Sequence, residues 1–352
     1  MIPCSIHLTT HGSAPNDVIQ PPLVATALFI AGTSFSLPAA AVDNTREDVR
    51  EFIDEMSRDY EFDRGRLTRL LAGAETKQSI LDAISRPAER VVPWYEYREQ
   101  FLSDKRVQQG IDFRTAHAAR LAAISDPRLA DAVTGILGVE TFYGRITGKF
   151  RVLDALTTLA FDYPPRAEFF RGELQQFLLL SREEAVDPAT ALGSYAGAMG
   201  APQFIASSYR KYAVDADGDG RRDLWSSWDD VIGSVASYLR AYGWRDGEDV
   251  VVPASLADTN LSRFNLERIE LNESVQSLRD KGVRFETDQP PEAPAMLIVL
   301  QGRTGPEYRV GFNNFYVITR YNRSNMYATA VHELGAAVRS ATEAKSPANP
   351  GL

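Results

Sequence analysis

The chain has 352 residues, 44% of them hydrophobic and 24% charged, which fits a soluble globular protein of one large or two to three modest domains. Its formal net charge is -9 and it has no basic cluster, which excludes a nucleic-acid partner because phosphate binding depends on concentrated Lys and Arg. Cys4 is the only cysteine, so no internal disulfide can form.

Residues 22–41, PLVATALFIAGTSFSLPAAA, are the one apolar run that could meet a membrane. The run ends in Ala39, Ala40 and Ala41 and reads as a secretory leader cut after Ala41, which would leave no membrane span in the mature chain and place it in the periplasm. It departs from the usual leader: no Lys or Arg precedes Arg46, and residues 1–21 ahead of it are polar, as if the start codon were assigned too far upstream. Cys4 lies before the run, the wrong place for a lipid-bearing cysteine. From Thr45 the text is helical, with apolar residues at three and four spacing in TREDVREFIDEMSRDY, RGRLTRLLAGAE, KQSILDAISR and WYEYREQFLSDKRVQQGIDFRTAHAARLAAIS. A helix over LADAVTGILGVET follows, then RVLDALTTLAFDY, PRAEFFRGELQQFLLLSREEA, PQFIASSYRKYA and WDDVIGSVASYLRAYGW. After Trp244 the texture changes to β-branched and aromatic runs, DVVVPA, AMLIVLQ and EYRVGFNNFYVITRYN, before a last helix at MYATAVHELGAAVRSA. These runs predict a mainly α, α+β protein with a boundary near residue 246, and DQPPEAPA at 288–295 reads as a loop.

Within LADAVTGILGVET one acid stands where an apolar residue is expected. At 100° per residue Glu140 falls within about 20° of Leu129 and Val133, so a carboxylate closes an apolar stripe. Asp126 and Pro127 supply an N-cap and first helical position, and Gly144 a stop just past the glutamate. Burial without a cation would raise the carboxyl pKa and make a general acid; an Arg or Lys partner would make a structural ion pair. The helix alone does not choose between them.

The stretch VDADGDGRRDLWSSWDD, 214–230, places Asp215, Asp217 and Asp219 in alternation, glycine at the sixth position and the Arg221 carbonyl at the seventh, the first half of an EF-hand calcium loop. Ser226 stands where the closing bidentate Glu belongs, so Asp229 or Asp230 would have to close a modified, structural site; the other reading is a solvated acidic turn. The stretch TALGSYAGAMGAPQFIASSYRKYA, 190–213, combines close-packing Gly and Ala with Ser194, Tyr195, Gln203 and Tyr209. It suits a polyhydroxylated ligand, or equally a tightly packed helix hairpin, and nothing in it resembles a phosphate loop. The four His, at 7, 11, 117 and 332, form no zinc motif or nucleophile triad. An enzyme made from this chain would lean on carboxylates, and a glycosidic bond, whose leaving oxygen must be protonated, is the natural target for Glu140 beside Phe142 and Tyr143.

ILGVETFYGRITGK, RVLDALTTLAFDYPPRAEFFRGELQQFLLL, GSYAGAMGAPQF, AVDADGDGRRDLW and GSVASYLRAYGW, in this order and spacing, closely resemble the membrane-bound lytic transglycosylase B family of peptidoglycan-cleaving enzymes, over roughly Pro93 to Leu334. The resemblance implies a lysozyme-like helical core with an additional helical domain and a small strand-containing C-terminal part, divided as leader 1–41, helical domain 42–109, core 110–246 and strand-containing region 247–352. It implies peptidoglycan glycan strands as substrate, calcium in the 215–230 loop and no organic cofactor. It also implies a reaction. Glu140 would protonate the oxygen between N-acetylmuramic acid and N-acetylglucosamine, the substrate's acetamido group would stabilise the oxocarbenium-like centre, and Glu140 would then activate the muramyl 6-hydroxyl to close a 1,6-anhydro ring.

Family positions carry over individually. Ser194 matches the serine near the acetamido group, Gln203 the glutamine of a GQF-like motif, Tyr238 the tyrosine of an SVANY-like motif, and Tyr321 with Asn322 the YN pair of the late strand. Tyr97 matches a further substrate tyrosine. Asp215, Asp217, Asp219, Arg221 and, with one inserted residue, Asp230 match the calcium ligands. Where the family often has Tyr-Pro-Arg-Arg this chain reads Tyr163-Pro164-Pro165-Arg166, so Arg166 remains of two arginines that contact the peptide-bearing sugar. The lead-in before Leu129 is shorter and lacks Tyr-Gly-Val-Pro, and Cys4 does not match the family's lipid anchor. Two alternatives stay open: a muramidase hydrolysing the same bond, with Asp154 and Asp162 as candidate second carboxylates, and a catalytically silent glycan-binding module. Other cell-wall proteins stay open as partners.

Overall fold

A computed structural model of the protein describes residues 40–85 and 92–345. Most of the expected leader therefore lies outside the described residues; its last two residues, Ala40–Ala41, pair antiparallel with Glu75–Thr76, and the Val42 N–H donates to the Ala74 carbonyl. The helical text folds as helices. The long run from 94 divides into Trp94–Phe101, Asp104–Ala116 and Ala118–Ala122.

At the centre stands helix Pro127–Thr141. Asp126 caps it as the sequence predicts, accepting from the Arg128 N–H and from the Trp244 indole, with Pro127 at the first position. Leu129, Val133, Ile136 and Leu137 are fully buried. The last helix, Asn325–Lys345, crosses this one at backbone contact, because glycines face the crossing: a Cβ on Gly135 would fall 2.1 Å from the Val331 carbonyl oxygen, and one on Gly335 2.2 Å from that of Asp131. Asp131 then ties three helices together, accepting from Arg114 at 2.8 Å and Arg339 at 2.7 Å. Burial pushes its carboxyl up while the two guanidinium groups oppose that shift. The last helix thus packs into the helical core, and Glu333 on it pairs with Arg309 of the strand Pro306–Gly311 at 2.5 Å.

Helix Val152–Asp162 is buried on every face from Val152 to Phe161 and packs on Ala167–Glu183. Its polar groups anchor the N-terminal segment. Asp154 accepts from the Glu75 N–H and pairs with Arg151, Thr158 accepts from the Lys77 N–H, and Asp162 pairs with Arg46 at 2.5 Å.

The C-terminal strands form an antiparallel five-stranded sheet in the order Glu273–Ser274, Pro294–Gln301, Pro306–Gly311, Val251–Leu256, Val283–Arg284. One stretch departs from expectation. EYRVGFNNFYVITRYN is a strand only to Gly311; Asn313–Tyr321 is a helix that buries Phe315, Val317 and Ile318. Asn314, fully buried, holds this helix on the core by exchanging hydrogen bonds with the backbone of Arg245 and Glu248. Tertiary burial overrides the β propensity of these residues, so Tyr321 and Asn322 sit at a helix C-terminus, not on a late strand.

The crossing yields a paired prediction. Gly135→Ala destabilises the protein by about 3 kcal/mol, because the added methyl meets backbone, whereas Gly172→Ala, in an exposed helical position with nothing within 4 Å, stabilises it by about 0.5–1 kcal/mol through helix propensity. Urea unfolding of the two variants checks both signs.

Candidate active site

Helix Pro127–Thr141 ends one residue past Glu140, before the expected stop at Gly144. Phe142, Tyr143 and Gly144 all lie in the left-handed region, at φ of 53°, 57° and 77°. For two bulky aromatic residues that conformation costs on the order of 1–3 kcal/mol each and must be imposed by surroundings. Several contacts impose it. The Tyr143 N–H donates to the Leu137 carbonyl, and the Thr141 hydroxyl donates to the Ala201 carbonyl while accepting from the Gly144 N–H. Tyr143 stacks on Phe113, and Phe113 and His117 both contact Trp228. Arg106 donates to the Gly138 carbonyl at 2.6 Å, at the negative end of the helix dipole, and lies between the rings of Phe101 and Phe142. Tyr97, whose ring lies tilted against Phe101 at 5.0 Å, thereby reaches the turn through Arg106.

Glu140 itself is partly buried and accepts a 2.6 Å hydrogen bond on Oε1 from the Tyr327 hydroxyl. Tyr327 is buried in the first turn of the last helix, so the glycine crossing is what brings these groups together from 187 residues apart. A donor fixed on one carboxylate oxygen sets the side-chain rotamer of Glu140. Of the described histidines, burial pushes His332 down to about 4, and burial also lowers His117.

The structure gathers Gln203, Tyr321, Tyr238 and Ser194 near this turn. Gln203, at φ 54°, donates from Nε2 to the Thr147 and Gly200 carbonyls. The Tyr321 hydroxyl donates to the neighbouring Pro202 carbonyl, and the Tyr238 hydroxyl to the Arg320 carbonyl; Tyr238 and Tyr321 meet edge to face at 4.8 Å. Ser194 Oγ accepts from the Ala196 and Ala198 N–H groups, which closes the GSYAGAMG turn and leaves its own proton to donate. Asn322 is the C-cap of the helix that carries Tyr321. The Arg166 guanidinium lies over Phe169 at 4.2 Å and Phe170 at 5.2 Å.

The acidic loop backs this floor. Carboxylate oxygens of Asp215, Asp217 and Asp230 lie within 4.8 Å of one another, a set of hard oxygens of the kind calcium takes. Asp230, fully buried, turns inward and accepts from the Ala216 and Asp223 N–H groups, whereas Asp229 pairs with Arg120. Burial and the neighbouring Asp217 push Asp230 up, while the Ser227 hydroxyl lowers Asp217. Asp219 accepts from the Arg221 N–H and is not among the three converging acids. The loop leads to Leu224, whose carbonyl accepts from the Ala201 N–H and lies where a Cβ on Gly200 would clash. The path from acidic loop to Glu140 is therefore Leu224, Ala201, Thr141.

Sequence reasoning missed Tyr327, Arg106 and Thr141. Tyr327 shares a helical stripe with Val331 and Leu334 and reads as core; only the crossing reveals its hydroxyl.

The family described as Transglycosylase SLT domain matches residues 44–336. The chain is 40% identical over 304 residues to the membrane-bound lytic murein transglycosylase B of Escherichia coli (strain K12), covering 83% of this chain and 82% of that protein. It resembles the crystal structure of soluble lytic transglycosylase SltB1 from Pseudomonas aeruginosa at 50% identity and a TM-score of 0.80, covering 83% and 98% of the two chains. Escherichia coli lytic transglycosylase Slt35, solved in complex with calcium, matches at 38% identity and a TM-score of 0.77, covering 88% and 98%.

Removing the Tyr327 hydroxyl tests the geometry. Tyr327→Phe keeps the ring in the crossing but loses a hydrogen bond to a carboxylate, worth about 1.5–3 kcal/mol; kcat for peptidoglycan lysis should fall about 10–100-fold with KM changed less than about twofold.

Proposed function

The chain belongs to the Transglycosylase SLT domain family and is a lytic murein transglycosylase, and on that premise we propose that Glu140 is its single acid and base. The observation that carries this reading is the 2.6 Å hydrogen bond from Tyr327 to Oε1. With one oxygen held, the other donates its proton to the glycosidic oxygen between N-acetylmuramic acid and N-acetylglucosamine, and that bond breaks. The substrate's acetamido oxygen stabilises the cationic anomeric carbon. Glu140, now a carboxylate, takes the proton of the muramyl 6-hydroxyl as that oxygen closes the 1,6-anhydro ring, so the proton returns to the acid and no water is consumed. Ser194, aimed by its turn, is the donor for the acetamido oxygen. Gln203, Tyr238, Tyr321, Asn322, Tyr97 and Arg166 line the glycan path. Asp154 and Asp162, the acids that a hydrolytic second carboxylate would draw on, are both engaged with the N-terminal segment.

Asp215, Asp217 and Asp230 would hold a calcium ion, with the Asp219 side chain and the Arg221 carbonyl as further oxygens. The ion would neutralise acids crowded on one loop and fix the Leu224 contact to the site floor. The family relative in Escherichia coli is named membrane-bound, while no helix among the described residues is long and apolar enough to cross a membrane. The apolar run at 22–41 supports export of this chain to the periplasm.

Glu140→Gln keeps shape and hydrogen bonding but cannot donate the proton, so it should fold normally and lose at least about 10²-fold in lytic rate; retention of about a tenth of wild-type activity or more would overturn the assignment. Calcium should raise the melting temperature of the wild type and leave that of Asp217→Ala unchanged, because loss of one of three converging carboxylates leaves too few oxygens to replace hydration. Identical wild-type melting curves with calcium and with a chelator would contradict the site.

A further inference from the structure

In a helix that ran on past Glu140, the Phe142 N–H would donate to the Gly138 carbonyl four residues back. Here it donates to the Leu137 carbonyl, as the Tyr143 N–H also does. The Gly138 carbonyl, buried and two residues before the acid, thereby loses its helical donor. Arg106, on the neighbouring helix Asp104–Ala116, supplies one in its place at 2.6 Å.

A cation is a costly donor to place there. Arg106 is half-buried, burial lowers its pKa, no acid pairs with it among the described residues, and its Nε is shielded from solvent without a partner. Desolvating a guanidinium with no counter-charge is unfavourable, and only a carbonyl at the negative end of a helix and two aromatic faces offset it. Those compensations lie at the turn after the acid. The guanidinium is 4.7 Å from the Phe142 ring and 5.0 Å from that of Phe101, so it grips the first left-handed residue. One turn along the same helix, Gly110 admits the second. A Cβ on Gly110 would fall 2.4 Å from the Tyr143 hydroxyl, and one on Gly138 2.7 Å from it. That hydroxyl is buried with no hydrogen-bond partner, so the slot between the two glycines holds the ring. Lys105, exposed, lies over the same Phe142 ring at 6.0 Å and offers a contrast.

Resting on the reading of Glu140 as acid and base, we propose that Arg106 is a positioning residue of the lytic reaction. By taking over the Gly138 carbonyl and clamping Phe142, it lets the helix stop directly after Glu140 and fixes the backbone from which that carboxyl projects. It acts on the acid through the turn and has no contact with substrate in this role, so its loss is read in kcat and not in binding.

Steady-state release of anhydro ends from peptidoglycan fragments tests this. Arg106→Met should lower kcat about 20-fold with KM changed less than about twofold. Arg106→Lys, which keeps the charge and a donor, should recover most of the loss. Guanidinium ion at about 20 mM should speed Arg106→Ala at least about threefold, while tetramethylammonium at equal ionic strength should not, because only a planar donor replaces the lost group. Lys105→Gln should change kcat less than about twofold, as befits an exposed charge. The double variant Arg106→Met with Phe142→Leu should be no slower than the slower single variant, because both changes act through one turn. If Arg106→Met does not fold, Arg106→Gln, with a neutral donor for Gly138, takes its place under the same criteria. A kcat within about twofold of wild type, a loss carried mainly by KM, or losses that multiply in the double variant would each overturn the proposal. Undiminished lysis by Glu140→Gln would instead sink the acid–base reading, whatever the Arg106 variants do.

Discussion

Everything at the candidate site depends on two helices crossing closely enough to touch backbone to backbone. Gly135 and Gly335 allow that approach, Asp131 and its two arginines lock it, and its consequence is the hydrogen bond between Tyr327 and Glu140. A larger residue at the crossing would meet the backbone of Val331 or Asp131 and force the two helices apart. Burial of Leu129, Val133, Ile136 and Leu137 on the same helix makes the position of Glu140 a by-product of core packing. The acid is rigid because the core is.

The strained turn after Glu140 has the same logic. Phe142 and Tyr143 hold left-handed backbone because Thr141, Phe113, Trp228 and Arg106 leave them little alternative. The chain thus reverses directly after the acid. The GSYAGAMGAPQF floor is held from behind by Leu224 of the acidic loop. An ion bound more than ten residues away in sequence from that floor can therefore steady the acid's surroundings without touching substrate.

What was legible in the sequence was local. Glu140 announced itself by breaking an apolar stripe, Asp126 and Pro127 by their capping chemistry, and Asp215 and Asp217 by alternation with glycine. Asp230 could be bracketed but not separated from Asp229, because which of two adjacent acids turns inward is decided by burial against Ala216 and Asp223. Tyr327 was not legible, since a buried tyrosine on an apolar helix stripe reads the same whether or not its hydroxyl meets an acid far away in the chain. The strand expected over 313–321 failed for a related reason: β-branched and aromatic residues there are buried as a helix against the core, and propensity yields to packing. The helical core, the C-terminal sheet and the order of both followed the periodicity; the docking of the last helix into the core did not.

The central claim is that one carboxyl, oriented by Tyr327, closes the anhydro ring without water. Digestion of peptidoglycan in ¹⁸O-enriched water, followed by mass spectrometry of the released muropeptides, tests it most directly. The account predicts 1,6-anhydromuramyl ends that carry no ¹⁸O. Reducing ends labelled with ¹⁸O would show that water attacks the anomeric carbon and would contradict it.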